Sequence, residues 1–93
     1  MDRYTMELEM SFAKAPYDQI PLKMRQPLIN YVINRVEPGS FLKYLICNNL
    51  TATLAHADGE NLPLIKTYVR WFYNETPSGL FGELNYEKHI RGR

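Results

Sequence analysis

Lys66, Arg70 and Tyr73 fall at i, i+4 and i+7 of the segment LPLIKTYVRWFYN, so a helix there sets all three on one flank. Two cations can neutralise phosphate oxygens, and a tyrosine ring offers a face on which a base can stack. These residues are the first candidates for binding a phosphate-bearing aromatic molecule. Arg35 and Ser40 are second candidates, because Ser40 opens the apolar segment SFLKYLIC and free N–H groups at a helix start attract anions. For each residue taken singly, the competing reading is a solvated helix flank.

No constellation in the chain points to turnover. Cys47 is the single cysteine, set among apolar neighbours, and reads as a small buried hydrophobe. His56 and Asp58 lie close together at a helix end, but a metal site needs further ligands at suitable spacing, and no Cys or His pair supplies them. His89 sits in a basic tail, where solvation is expected. Ser40 and Ser78 adjoin glycines without the flanking pattern of a nucleophile elbow. The carboxylates Asp18, Glu37, Asp58, Glu60, Glu75 and Glu83 fall at helix edges and loops, where they normally cap or solvate. Phosphate-loop and dinucleotide fingerprints are missing. The expectation is a non-enzyme with no cofactor and no metal.

The chain of 93 residues is sized for one domain, and its net charge of +1 argues against a nucleic-acid partner. A chain this short buries only about two-thirds of its unfolded surface, which favours association with further copies. Seven tyrosines, four phenylalanines and one tryptophan are plentiful for the length. A secretory leader and a bilayer-spanning run are both missing, so the expected location is the cytoplasm, with no membrane partner. The glycosylation patterns at Asn49 and Asn74 are then coincidental.

Helices must position the candidate residues. Leu28, Ile29, Val32, Ile33 and Val36 form one stripe, with Pro27 placed best in the first turn. Ser40 is the expected N-cap of FLKYLIC, an apolar segment and hence a central one. Asn48 or Asn49 caps LTATLAHA, in which Leu50, Leu54 and Ala57 share a face. Asn61 is the expected cap of the next helix, where Ile65, Tyr68, Val69 and Phe72 make the strongest amphipathic stripe. Leu64 and Trp71 on its other flank read equally well as extra core or as a protein interface. ETPSGLFG is a loop, and NYEKHIRGR a short basic helix or tail.

The N-terminus is different. Tyr4, Met6, Leu8, Met10 and Phe12 alternate with polar residues, and only a strand puts all five on one face. Helix propensity dissents, since Met, Glu and Leu are good helix formers. A lone strand leaves its backbone groups unpaired, and the simplest partner is the same strand of another copy. The expected fold is therefore mainly α: a compact bundle of four to five short helices, residues 17–93, with an N-terminal β-strand arm, residues 1–16, that pairs between subunits. Tyr4, Met6, Leu8, Met10, Phe12, Leu64 and Trp71 are the candidate protein-interface residues, and a homo-oligomer is expected.

The joint spacing of Ile20-Pro21, Pro38-Gly39-Ser40-Phe41-Leu42, Asn49-Leu50, Ala57-Asp58, Asn61, Tyr73-Asn74, Pro77 and Gly82 resembles a family of small proteins of unassigned function encoded in tailed bacteriophages and prophages. The resemblance covers residues 17–90. The chain departs from that pattern in its N-terminal arm and at Glu37, where proline is common. The resemblance implies phage origin and action in the cytoplasm of an infected cell, and transfers no catalytic residue. Two functions follow as expectations. One is a counter-defence protein that sequesters a nucleotide immune signal; the other is an inhibitor or adaptor that docks on a host enzyme through an aromatic or strand surface. A small DNA-binding regulator is disfavoured by the charge balance.

Overall fold

The computed structural model describes residues 3–77 and 79–92, and within them the chain is helical with no strand. The helices are α1 (Arg3–Ser11), α2 (Leu22–Asn34), α3 (Ser40–Ile46), α4 (Leu50–His56), α5 (Ile65–Glu75) and α6 (Glu83–Arg91). Short 3-10 turns cover Tyr17–Gln19 and Leu62–Leu64.

The expected N-terminal strand is a helix, and the reason is physical. A helix satisfies its own backbone N–H and C=O groups, so this segment needs no partner to form. The helical period splits the five alternating side chains between two sides. Leu8 and Phe12 enter the core with Tyr4 packed against it, whereas Met6 (49%) and Met10 (67%) are exposed. Ser11, on the polar side of the strand reading, is buried. Its hydroxyl donates to Leu8 O and accepts from Trp71 Nε1–H at 2.8 Å. Phe12 stacks on Trp71 with ring centroids 5.4 Å apart. Indole, hydroxyl and phenyl ring thus fasten α1 and its C-terminal turn to α5.

Arg25 straps the following connector to α2, donating from Nε to Ile20 O at 2.8 Å and from Nη2 to Asp18 O at 2.9 Å. Helix α2 begins directly after Pro21, so Pro27 lies inside it rather than in its first turn. Leu28, Ile29 and Val32 face inward as the stripe requires, and Val36 falls beyond the helix end and is exposed. Arg35 closes α2 in the left-handed region at φ 57°, a conformation more often taken by glycine.

Phe41, Leu42, Leu45 and Ile46 bury the short helix α3. Its N-cap is Gly39; Ser40 is the first helical residue, exposed, and makes no capping hydrogen bond. Asn49 caps α4 through its side-chain oxygen, which accepts from Ala52 N–H at 3.1 Å. Leu50 and Leu54 do not face the core: they are 66% and 47% exposed, and Thr53 takes the inward position. Asn61 precedes the next turn, but its side chain points inward to accept from Tyr68 O–H at 2.6 Å. Capping there falls to Asp58, whose Oδ1 accepts from Glu60 N–H and Asn61 N–H at 3.0 and 2.8 Å.

Tyr68, Trp71 and Phe72 bury α5 along the amphipathic stripe, with Ile65 and Val69 only partly covered. Leu64 and Trp71, open between core and interface by sequence, belong to the core: Trp71 is 0% exposed. The loop before α6 is pinned twice, by Tyr31 O–H donating to Leu80 O at 2.9 Å and by Gly82 N–H donating to Ile46 O at 2.7 Å. Gly82 sits at φ 96°, where a side chain would be strained. The C-terminal segment is a docked helix. Tyr86 stacks on Tyr31 at 5.6 Å, and His89 Nε2 lies 2.6 Å from Tyr31 O, so this histidine is a packing residue and not a solvated one.

Candidate functional site

A groove of about 190 Å³ runs between α4 and α5, floored by Leu45 and closed at one end by the loop before α6. Leu50 and Thr53 of α4 form one wall, and Ile65, Val69 and Tyr73 of α5 form the other. Those three α5 residues recur every four positions and so run down one side of the helix. Phe81 comes from the pinned loop and stacks nearly parallel on Tyr73, at 6.0 Å and 10° between planes. A second cleft of about 150 Å³ shares this ring pair and is otherwise lined by Phe72, Thr76, Pro77, Gly79 and Leu80. The Tyr73–Phe81 stack is therefore common to two clefts. Tyr73 nevertheless remains 76% exposed.

Lys66 and Arg70 follow Ile65 and Val69 by one residue, which carries them about 100° further round α5. They stand outside the groove on its solvent border, both exposed. Neither has an ion-pair partner among the described residues; the ion pairs lie elsewhere, at Arg3–Glu7, Lys14–Glu75, Lys23 with Asp58 and Glu60, and Arg91–Glu87. The predicted flank thus exists: one helix presents Lys66, Arg70 and an exposed aromatic ring. Arg35 and Ser40 line no part of this groove. Arg35 donates from Nη1 to His89 O at 3.4 Å, across the end of α6, and Ser40 begins a different helix.

The remaining chemistry-bearing residues are absorbed by packing. The His56 ring lies on Tyr44 at 5.0 Å, while the Asp58 carboxylate is held by the Asn61 and Glu60 N–H groups and by Lys23. Those N–H groups and the lysine keep the Asp58 carboxyl below its ordinary value. The His56–Asp58 pair therefore does not converge. Among the described residues no group of three or more His, Cys, Asp or Glu could hold a metal. Cys47 shares a cleft with Lys43, Glu83 and Glu87; burial first, and then Glu83, push its thiol up, so it is protonated at neutral pH and a poor nucleophile.

Tyr73 is a candidate by its spacing in the sequence, whereas Phe81, the ring against which it stacks, is not. The available signal was Phe81 between Gly79 and Gly82 in a loop, where a large apolar residue needs a packing partner. The groove wall at Leu50 and Thr53 is equally hidden in the sequence, because inward and outward faces of so short a helix look alike in periodicity. Among the described residues no helix is long and apolar enough to cross a membrane. No protein-family model, curated protein or solved structure matches this chain.

Proposed function

We propose that the chain is a non-enzymatic binding protein of phage counter-defence, which sequesters a nucleotide immune signal in the host cytoplasm without turning it over. One observation carries the reading: on the α5 flank two cations without an ion-pair partner among the described residues stand beside an aromatic ring whose far face already rests on Phe81. A phosphate gains charge-assisted hydrogen bonds from Lys66 and Arg70. A base stacks on the open face of Tyr73 and extends an existing ring stack. The pinned loop holds that stack before the ligand arrives, which lowers the ordering cost of binding. Sequestration asks for no nucleophile and no general base, and the phage setting is the one implied by the sequence resemblance.

Isothermal calorimetry against linear and cyclic nucleotides tests the proposal. Arg70→Glu abolishes the binding heat while circular dichroism stays unchanged, and Tyr73→Ala weakens binding by about 1–3 kcal/mol. Affinity falls as salt rises, because the phosphate contribution is screened. Absence of heat with every nucleotide sinks the proposal.

The exposed Leu50 and Leu54 beside the groove favour a second reading, in which the chain docks on a host enzyme as an inhibitor or adaptor. Trp71 has no part in that surface, being buried. A purified host enzyme captured by the wild type and released by Leu54→Asp would select this reading, whatever the nucleotide panel shows.

A further inference from the structure

We propose that the exposed side of α1 fits the α4–α5 groove of a second copy of this chain, so that copies associate head to tail. Two exposed apolar faces are complementary in form. On α1, Met6 and Met10 stand one helical turn apart on the side opposite Leu8. On the other face, Leu50, Ile65 and Val69 border an open groove of about 190 Å³. Methionine is unbranched and flexible, and fills irregular apolar grooves of this kind well. The ridge is rigidly presented, because Ser11 and Phe12 fasten the C-terminal end of α1 to Trp71.

Charge selects the orientation. Arg3 and Glu7 satisfy each other at 3.5 Å, which leaves Glu9 as the carboxylate of α1 without an ion pair among the described residues. The groove is bordered by Lys66 and Arg70, likewise unpaired. Glu9 therefore finds cations across a groove contact. An α1-to-α1 contact would set it against a helix whose single cation is already paired with Glu7. One carboxylate against two cations leaves the border positive, so this association does not depend on the nucleotide proposal, and the two can fail separately. Because the two surfaces differ, each copy offers one of each, and the assembly closes into a ring or continues.

Complementation by defective variants tests the contact. Met10→Asp spoils the ridge and keeps the groove; Leu50→Asp spoils the groove and keeps the ridge. Both positions are exposed in the single chain, so helicity by circular dichroism is retained. In sedimentation equilibrium the wild type has a mass that is a multiple of 10.9 kDa, and each variant alone falls to the single-chain mass. An equimolar mixture of the two forms a dimer and nothing larger, since one good ridge and one good groove remain. Should either variant misfold, Met6→Asp replaces the ridge variant and Arg70→Glu the groove variant; both defects are then acidic and repel each other, so the expected pattern is the same. The proposal is overturned by a wild type that stays a single chain, by a variant that keeps the wild-type mass, or by a mixture that does not associate.

Discussion

Ser11 joins α1 to the core through a single oxygen. Its hydroxyl donates to Leu8 O within its own helix and accepts the indole N–H of Trp71, a residue sixty positions away and fully buried. Nothing near Ser11 in sequence marks it as interior, and strand alternation assigns it to solvent; the partner that draws it inward is visible only in three dimensions. Asn61 is a similar case, since a residue type suited to capping is used to satisfy the buried Tyr68 hydroxyl. Trp71, by contrast, was legible as half of an alternative, and its N–H needed a buried acceptor once the core reading held. Ser11→Ala leaves that N–H without an acceptor at a site closed to water. The expected loss is about 1–3 kcal/mol in urea unfolding, with the slope unchanged. Tryptophan fluorescence follows the same transition, and a variant as stable as the wild type would show that the indole finds another acceptor.

Helix α1 and the turn that follows it decide between two periods over residues 4–12. Five apolar side chains at alternate positions suit a strand face, yet the helix wins because its residues favour it and because it closes its own hydrogen bonds. Burial of Leu8 and Phe12 on one side is then enough, and the two methionines are left outside. The amphipathic stripe of α5 was legible because it spans several turns and agrees with propensity. Helix α4 was not: in seven residues, Leu50 and Leu54 define a face but not its direction, and Thr53 is drawn inward while its hydroxyl donates to Asn49 O. The flank of Lys66, Arg70 and Tyr73 was legible as spacing alone, whereas the groove beside it depends on α3, α4 and the loop bearing Phe81. Paired substitutions separate helix from strand in α1. Leu8→Ala removes a buried side chain and costs about 2–5 kcal/mol. Met6→Ala removes an exposed one and stays within about 0.5 kcal/mol in a dilute single chain. Similar costs for the two would restore the strand, in which both residues share one face.

Across the whole molecule, the tyrosines hold the layers together. Tyr31 of α2 donates its O–H to Leu80 O and stacks on Tyr86 of α6, while Tyr68 of α5 donates to Asn61. Phe72 meets Tyr31 edge-on at 6.2 Å, so α2, α5 and α6 share one aromatic cluster under the candidate site. Burial is the first cause of a raised phenol in all three: Tyr86 is pushed up to about 12, and Tyr31 and Tyr68 are pushed up as well. A phenol exposed by unfolding ionises at about pH 10, its ordinary value. The folded state thus prefers the protonated form, and the stability this contributes is complete below that pH. As pH rises beyond it, the unfolded chain releases protons that the folded chain still holds, and stability declines until the folded values are passed. Alkaline titration should therefore show a cooperative loss of helical circular dichroism above about pH 10, coincident with a step in tyrosinate absorbance. Tyr86→Phe removes one of the coupled phenols without removing its ring, so its transition shifts to higher pH and its absorbance step is smaller. Gradual ionisation of these phenols near pH 10 with helicity intact would mean that water reaches the cluster. The stack that supports Tyr73 would then rest on a looser frame than the buried rings imply.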